Sequence, residues 1–220
     1  MESRIDIINL INEYKNYFTN ETKRTEPIIT FLNTFEGASL FNRKNFVAHI
    51  TASAYIINQP KKSLLLLKHK TLDRWLQPGG HVDATDASLM AAALREVEEE
   101  TGIKQNSLFP VTEAIFDIDS HPIPENTKKA ESAHFHHDIS FLFTCPDDQT
   151  IRYDQNESTA ARWVTFEELS QNDHFKYLPE KISRFTRDSE KSSQTFSQAI
   201  NIKLTVLPLA LFLLVYSYKG

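Results

Sequence analysis

A chain of 220 residues with 40% hydrophobic and 24% charged residues is long enough to bury one ordinary core plus extensions, and its composition excludes a disordered chain. A formal net charge of −5 gives no general attraction to nucleic acid, so long polyanionic partners are disfavoured. One cysteine, Cys145, rules out an intrachain disulfide, and residues 1–20 lack the basic start and apolar run of a secretory signal; both point to a reducing, cytoplasmic setting.

Residues 1–45 read as a helical extension. Ile5, Ile8, Leu10, Ile11, Tyr14 and Phe18 recur at helical spacing, and a second helix follows in EPIITFLNTF with Pro27 in its first turn. From Phe46 the texture changes to strands: 49–57, 62–69, 111–118, 135–144 and 162–166, the last feeding a short helix at FEELSQ. One long helical pattern, about 86–100, sits among them, so 46–185 is expected to be a mixed α/β domain. ENTKKAES (125–132) reads as an exposed loop. Residues 186–203 are polar and linker-like, and 204–220 form a hydrophobic tail.

The densest signal is PGGHVDATDASLMAAALREVEEETGI, residues 78–103. Gly79 and Gly80 let the backbone turn and approach a neighbour closely. Thr85 or Asp86 can cap the following helix, Leu89, Ala93 and Val97 make its apolar stripe, and Gly102 suits a left-handed stop. Glu96, Glu99 and Glu100 share one broad face, while Glu98 points into solvent. Crowded carboxylates repel one another. Either the face is solvated, or a hard cation such as Mg²⁺ or Mn²⁺ resides there.

This segment resembles the Nudix box, G-x5-E-x7-R-E-U-x-E-E-x-G-U with U aliphatic. Arg95 to Ile103 matches the second half at every specified position. The first half departs: counting from Gly80, the acid is Asp86 instead of glutamate, and eight residues (87–94) precede Arg95 where the pattern has seven. The resemblance implies an α/β/α sandwich with a mixed β-sheet, and metal-dependent hydrolysis of a diphosphate bond in a nucleoside diphosphate linked to some group X, a pyrophosphatase activity with Mg²⁺ (or Mn²⁺) as cofactor and a small nucleotide as substrate. Carried over by position, Glu99 and Glu100 are the main metal ligands and the Gly79 carbonyl completes the set. Glu96 is a further ligand or the base that takes a proton from water, which puts the catalytic roles on Glu96 and Glu99. Arg95, Gly80 and Gly102 are structural support.

Further candidates lie outside the box. Period two puts His134, His136 and Asp138 on one strand face; His136 or Asp138 is either a substrate contact, a distal metal ligand or a base outside the box, or part of an exposed polar face. A separate zinc site from these histidines is disfavoured, because no cysteine other than Cys145 lies at ligand spacing. Trp75 either stacks on a base or packs its loop. Lys68, His69, Lys70 and Arg74 either guide phosphates or form a solvated loop, His81 is placed to touch substrate, and Glu157 reads as surface.

Residues 204–218 carry no charge, but as a helix they would span only about 22 Å, short of a bilayer core of about 30 Å, and Pro208 interrupts them. They are a contact for the domain, a partner protein or a membrane surface; a homodimer is also possible. Two other functions compete with hydrolysis. A Nudix-fold nucleotide-binding regulatory module without turnover would not need all three glutamates. An isopentenyl-diphosphate isomerase would need a well-placed cysteine, which Cys145 is not. Action on RNA ends is disfavoured by the net charge.

Overall fold

The computed structural model describes residues 1–189 apart from 59, 61, 128, 129, 147 and 148; the polar stretch from 190 onward and the hydrophobic tail lie outside the described residues. The chain divides into two units, Met1–Lys176 and Tyr177–Gly220. Among the described residues no helix is long and apolar enough to cross a membrane.

In the first unit, helix α1 (Arg4–Tyr17) begins with a capping box in which Ser3 and Asp6 satisfy each other's backbone N–H groups. Helix α2 (Glu26–Thr34) carries Pro27 in its first turn, where a missing N–H costs nothing. The one-turn spacing of Ile7, Ile11, Tyr14 and Phe18 buries these side chains. Phe18 packs edge-on against Phe116, with centroids 6.3 Å apart. Arg24, between the helices, forks onto Asp117 with contacts of 2.8 and 3.3 Å. These ties join the N-terminal helices to the sheet.

The sheet comprises β1 (Ala48–Asn58), β2 (Ser63–His69), β3 (Arg74–Leu76), β4 (Gly79–His81), β5 (Phe109–Pro110), β6 (Asp117–Ile123), β7 (His134–Thr144) and β8 (Ser158–Thr165). Its main path runs β3-β2-β1-β7-β5, with β4 beside β1, β6 beside β7 and β8 beside β2. The β1–β7 pair is parallel and the other pairs are antiparallel, so the sheet is mixed, as the sequence leads one to expect. Every residue of β1 is buried. A central strand covered on both faces needs apolar or internally satisfied residues throughout, which explains its unbroken run. Helix α3 (Leu89–Thr101) packs on β1 and β4 through Leu89, Ala92, Ala93 and Val97. Helix α4 (Phe166–Ser170) follows β8, capped by Thr165.

Three local expectations are corrected. Helix α3 starts at Leu89, capped by Ser88 and not by Thr85 or Asp86, because Asp86 has another partner. Residues 111–116 are not strand: pairing with β7 stops at Pro110 and resumes at Asp117. Ala114, Ile115 and Phe116 are nonetheless buried, so the apolar signal there reports core packing and not pleat. In the second unit, residues 178–189 are helical, which extends helix into the polar stretch from Ser183. The Ser183 and Thr186 hydroxyls donate to the carbonyls of Pro179 and Ile182, one turn back.

Candidate active site

The site is built where α3 meets β4. A Cβ placed on Gly80 would lie 2.7–2.9 Å from the three atoms of the Glu96 carboxylate. Only glycine leaves that space, so the β4 backbone serves as the floor on which Glu96 rests. On the neighbouring residue, a Cβ at Gly79 would meet Ser53 Cβ at 2.2 Å, because β4 is pressed against β1 there. The Gly79 N–H donates to Glu100 Oε2 at 2.8 Å. The two glycines therefore let the acidic helix and the central strand close on β4 from different sides.

Arg95 organises the acids. Its Nε and Nη2 each donate at 3.0 Å to the two oxygens of Asp86. Nη1 donates to Glu96 at 2.9 Å and to Glu99 at 3.1 Å, and Nη2 also reaches the His81 carbonyl at 2.8 Å. One planar guanidinium thus ties the loop before α3 to β4 and to two turns of the helix. The shortened acid and the lengthened loop of this sequence still deliver a carboxylate to Arg95. Gly102 ends the helix with φ 74°.

Glu96 and Glu100 are largely buried, while the Glu99 side chain is 59% exposed. Burial pushes the Glu96 carboxyl up to about 7, with Glu99 and Glu157 adding to the rise against the Arg95 hydrogen bond. Burial likewise raises Glu100 to about 8, opposed by the Gly79 N–H and reinforced by Glu157 and Glu96. Glu157 is the residue the sequence reading missed. It is exposed, as expected, yet its carboxyl acts on both buried glutamates. The loop before β8 brings it there: Arg152 N–H donates to Thr101 O and Asp154 N–H to Glu100 O, which lashes the loop to the end of α3. No local pattern marks Glu157, because its neighbours in space are more than fifty positions away.

The remaining candidates, His81 within the box and the others outside it, differ in their surroundings. Asp138 is buried, not on an exposed face, and accepts from the hydroxyls of Thr51, Ser53 and Ser140. Three hydroxyl donors satisfy its oxygens internally, and Ser53 pairs with Gly79 across β1 and β4. His136 and His81 lie beside His49, with ring centroids 4.5–5.3 Å apart. Burial pushes His136 down to about 2 and His81 to about 4, so both are neutral at pH 7. Trp75 is covered by the Arg162 guanidinium, 5.1 Å from its ring centroid. Lys68 is held by Asp73 at 2.8 Å and Lys70 donates to the Gln155 carbonyl at 3.2 Å, so these lysines serve their own loops. Arg74 sits on β3 and acts electrostatically on His121.

The architecture is therefore an α/β fold whose mixed sheet holds an acidic helix against a Gly-Gly strand. The chain belongs to the NUDIX domain family, whose model matches residues 47–186. Among curated relatives, an uncharacterized Nudix hydrolase NudL of Cronobacter sakazakii is 47% identical over 53 residues, covering 22% of this chain and 28% of that one. The Salmonella paratyphi B NudL is 45% identical over the same length and coverage. The chain thus matches little more than a quarter of these relatives' length. Among solved structures, a C. elegans Ap4A hydrolase complex has a TM-score of 0.48 at 21% identity, covering 63% of this chain and 98% of that one. The MutT protein of Methanosarcina mazei Go1 has a TM-score of 0.43 at 27% identity, covering 64% and 95%.

Proposed function

We propose that this chain hydrolyses a diphosphate bond in a nucleoside diphosphate linked to another group, with Mg²⁺ or Mn²⁺ as cofactor. The observation that carries the proposal is the convergence of Glu96, Glu99, Glu100 and Glu157 on one end of α3, with Arg95 shared among Glu96, Glu99 and Asp86. Four acids stand against one shared guanidinium, and without a cation the crowding and burial drive Glu96 and Glu100 toward their protonated forms. The cradle at Gly80 fixes one of them in place. All are oxygen donors, which fits a hard divalent ion and does not fit a thiolate-seeking one.

Glu99, Glu100 and the Gly79 carbonyl would hold the ion, with Glu96 and Glu157 beside them. When bound, the ion supplies positive charge against the phosphate oxygens of the substrate. The chain's own residues do the rest. Arg95 holds Glu96 by Oε1, so Oε2 is the oxygen that takes the proton from the water attacking phosphorus. Burial raises this carboxyl in the metal-free protein, and a cation beside it would draw it back toward the ionised, proton-accepting form. Arg95 itself is occupied by four acceptors and is a positioning residue, not a phosphate clamp.

A nucleotide-binding module without turnover would be consistent with the irregular first half of the box. The Asp86–Arg95 pair supports the enzyme instead, since the altered loop keeps the carboxylate contact that steadies the acidic helix. The test is release of phosphate or nucleoside monophosphate from a panel of nucleotide sugars, dinucleoside polyphosphates, NADH, ADP-ribose and nucleoside triphosphates. It is run with Mg²⁺, with Mn²⁺ and with EDTA, beside Glu99→Gln/Glu100→Gln. Metal-dependent turnover lost in the variant is expected. Nucleotide binding without turnover of any member would overturn the proposal in favour of the binding module.

A further inference from the structure

Strands β1, β4 and β7 bring three histidines together away from the glutamates. His49 and His136 are direct partners in the parallel β1–β7 register, and His81 pairs with Thr51, two residues along β1 from His49. Alternation along a strand puts His49 and Thr51 on the same face, so all three imidazoles stand on that face. Gly80 turns its missing side chain the other way, toward Glu96. The histidines therefore occupy the opposite face of the sheet from the carboxylates, with β4 between them.

Each of the three rings offers a nitrogen within 4.8 Å of those of the other two. His49 is 0% exposed, and its Nε2 has no hydrogen-bond partner. A buried, unpaired imidazole nitrogen is costly unless something satisfies it. The hydrogen bonds also fix where the lone pairs lie. The Asn45 carbonyl, 3.5 Å from His49 Nδ1, can only accept, so the proton is on Nδ1 and the lone pair on Nε2. The Ser132 carbonyl, 2.7 Å from His134 Nδ1, likewise places a proton on that nitrogen. His134 Nε2 lies 3.2 Å from His136 Nε2, so a hydrogen bond between these two rings orients His136. A ring whose far N–H is held by a carbonyl or a second ring is the arrangement metal-ligating histidines adopt.

We propose that His49, His81 and His136 form a second metal site, for a transition ion of the zinc type, separate from the carboxylate site. Three neutral imidazoles suit zinc and are poor ligands for magnesium. Ligand nitrogens about 2.1 Å from a tetrahedral ion lie about 3.4 Å apart, so binding would draw together rings whose nitrogens lie within 4.8 Å of one another. The occupied site would clamp three strands, and β4 carries the Gly-Gly floor of the acidic site on its other side.

The test strips the full-length protein with a chelator, reloads it with Zn²⁺ in excess Mg²⁺, desalts it and counts retained metal by mass spectrometry. A single zinc ion per chain is expected in the unsubstituted protein and in Glu99→Gln/Glu100→Gln. Loss of that zinc is expected in His81→Asn and His136→Gln, with thermal unfolding confirming that the variants fold. Loading with Co²⁺ gives a second readout that needs no variant: nitrogen ligation at low coordination number produces strong visible absorption. Failure to retain zinc, retention unchanged in both histidine variants, loss in the glutamate variant, or a weak cobalt spectrum typical of oxygen ligation would each overturn the proposal.

Discussion

Asp86 and Arg95 form a two-pronged pair across the loop that precedes the acidic helix, with both contacts at 3.0 Å. Arg95→Lys keeps the charge but cannot span Asp86, Glu96, Glu99 and the His81 carbonyl together. Its expected effect is a fall in kcat of about 10–100-fold, the size typical of losing a group that orients metal ligands. Asp86→Glu should retain more activity than Asp86→Ala. Equal rates for the two Asp86 variants would remove the pair from the mechanism.

The two glycines of β4 should fail differently. In Gly80→Ala the new methyl meets the end of the Glu96 side chain, which can swing away, so activity falls while the melting temperature changes little. In Gly79→Ala the methyl meets Ser53 Cβ and backbone atoms, which cannot move without shifting β1, so melting itself drops by several degrees. Paired activity and thermal-melt measurements separate the two.

Glu96 and Glu100 make the metal-free protein sensitive to alkali. Their folded pKa values, about 7 and about 8, lie above the unfolded value of 4.5. The stability they contribute is therefore complete below about pH 4.5 and is lost as pH rises through 7 and 8. The buried histidines act in the opposite sense: their depressed pKa values give stability that is complete above 6.5 and lost on acidification. Above pH 6.5 only the carboxylate effect remains between these two sets. Chelated protein should lose about 1–3 kcal/mol between pH 6.5 and 8.5, and Glu100→Gln should flatten the slope. Saturating Mg²⁺ should flatten it too. A chelated protein of constant stability over that range would contradict both the pKa shifts and their cause.

Arg24 and Asp117 join the N-terminal helices to β6. The Asp117 side chain is 5% exposed and that of Arg24 34%. Arg24→Ala would remove both guanidinium hydrogen bonds from a buried carboxylate. Allowing for the partial exposure of Arg24, the expected cost is about 2 kcal/mol in urea unfolding, larger than for a surface ion pair. A loss below about 0.5 kcal/mol would mean that the helices are held by their apolar contacts alone.

Much of the architecture could be read from local pattern. Alternating and unbroken apolar runs located β1, β2 and β7 to within a residue or two, and the helical spacing of Leu89, Ala93 and Val97 located α3. The reading failed at 111–116, where apolar residues are buried across a break in the β7 register, and at the start of α3, where Asp86 gave its side chain to Arg95 instead of to a helix terminus. Local pattern cannot distinguish these cases, because the competing partner lies elsewhere in the chain.

The sequence by itself determined the acidic face of α3, the glycine pair beside it and the family to which they belong, since helix periodicity and a fixed spacing are properties of neighbouring residues. Only the tertiary structure decided that Glu157 joins Glu96 and Glu100, that Asp138 is saturated by hydroxyls, and that His49, His81 and His136 meet on the far side of the sheet. These residues come from segments dozens of positions apart. Their contacts exist only once the folded chain has brought those segments together.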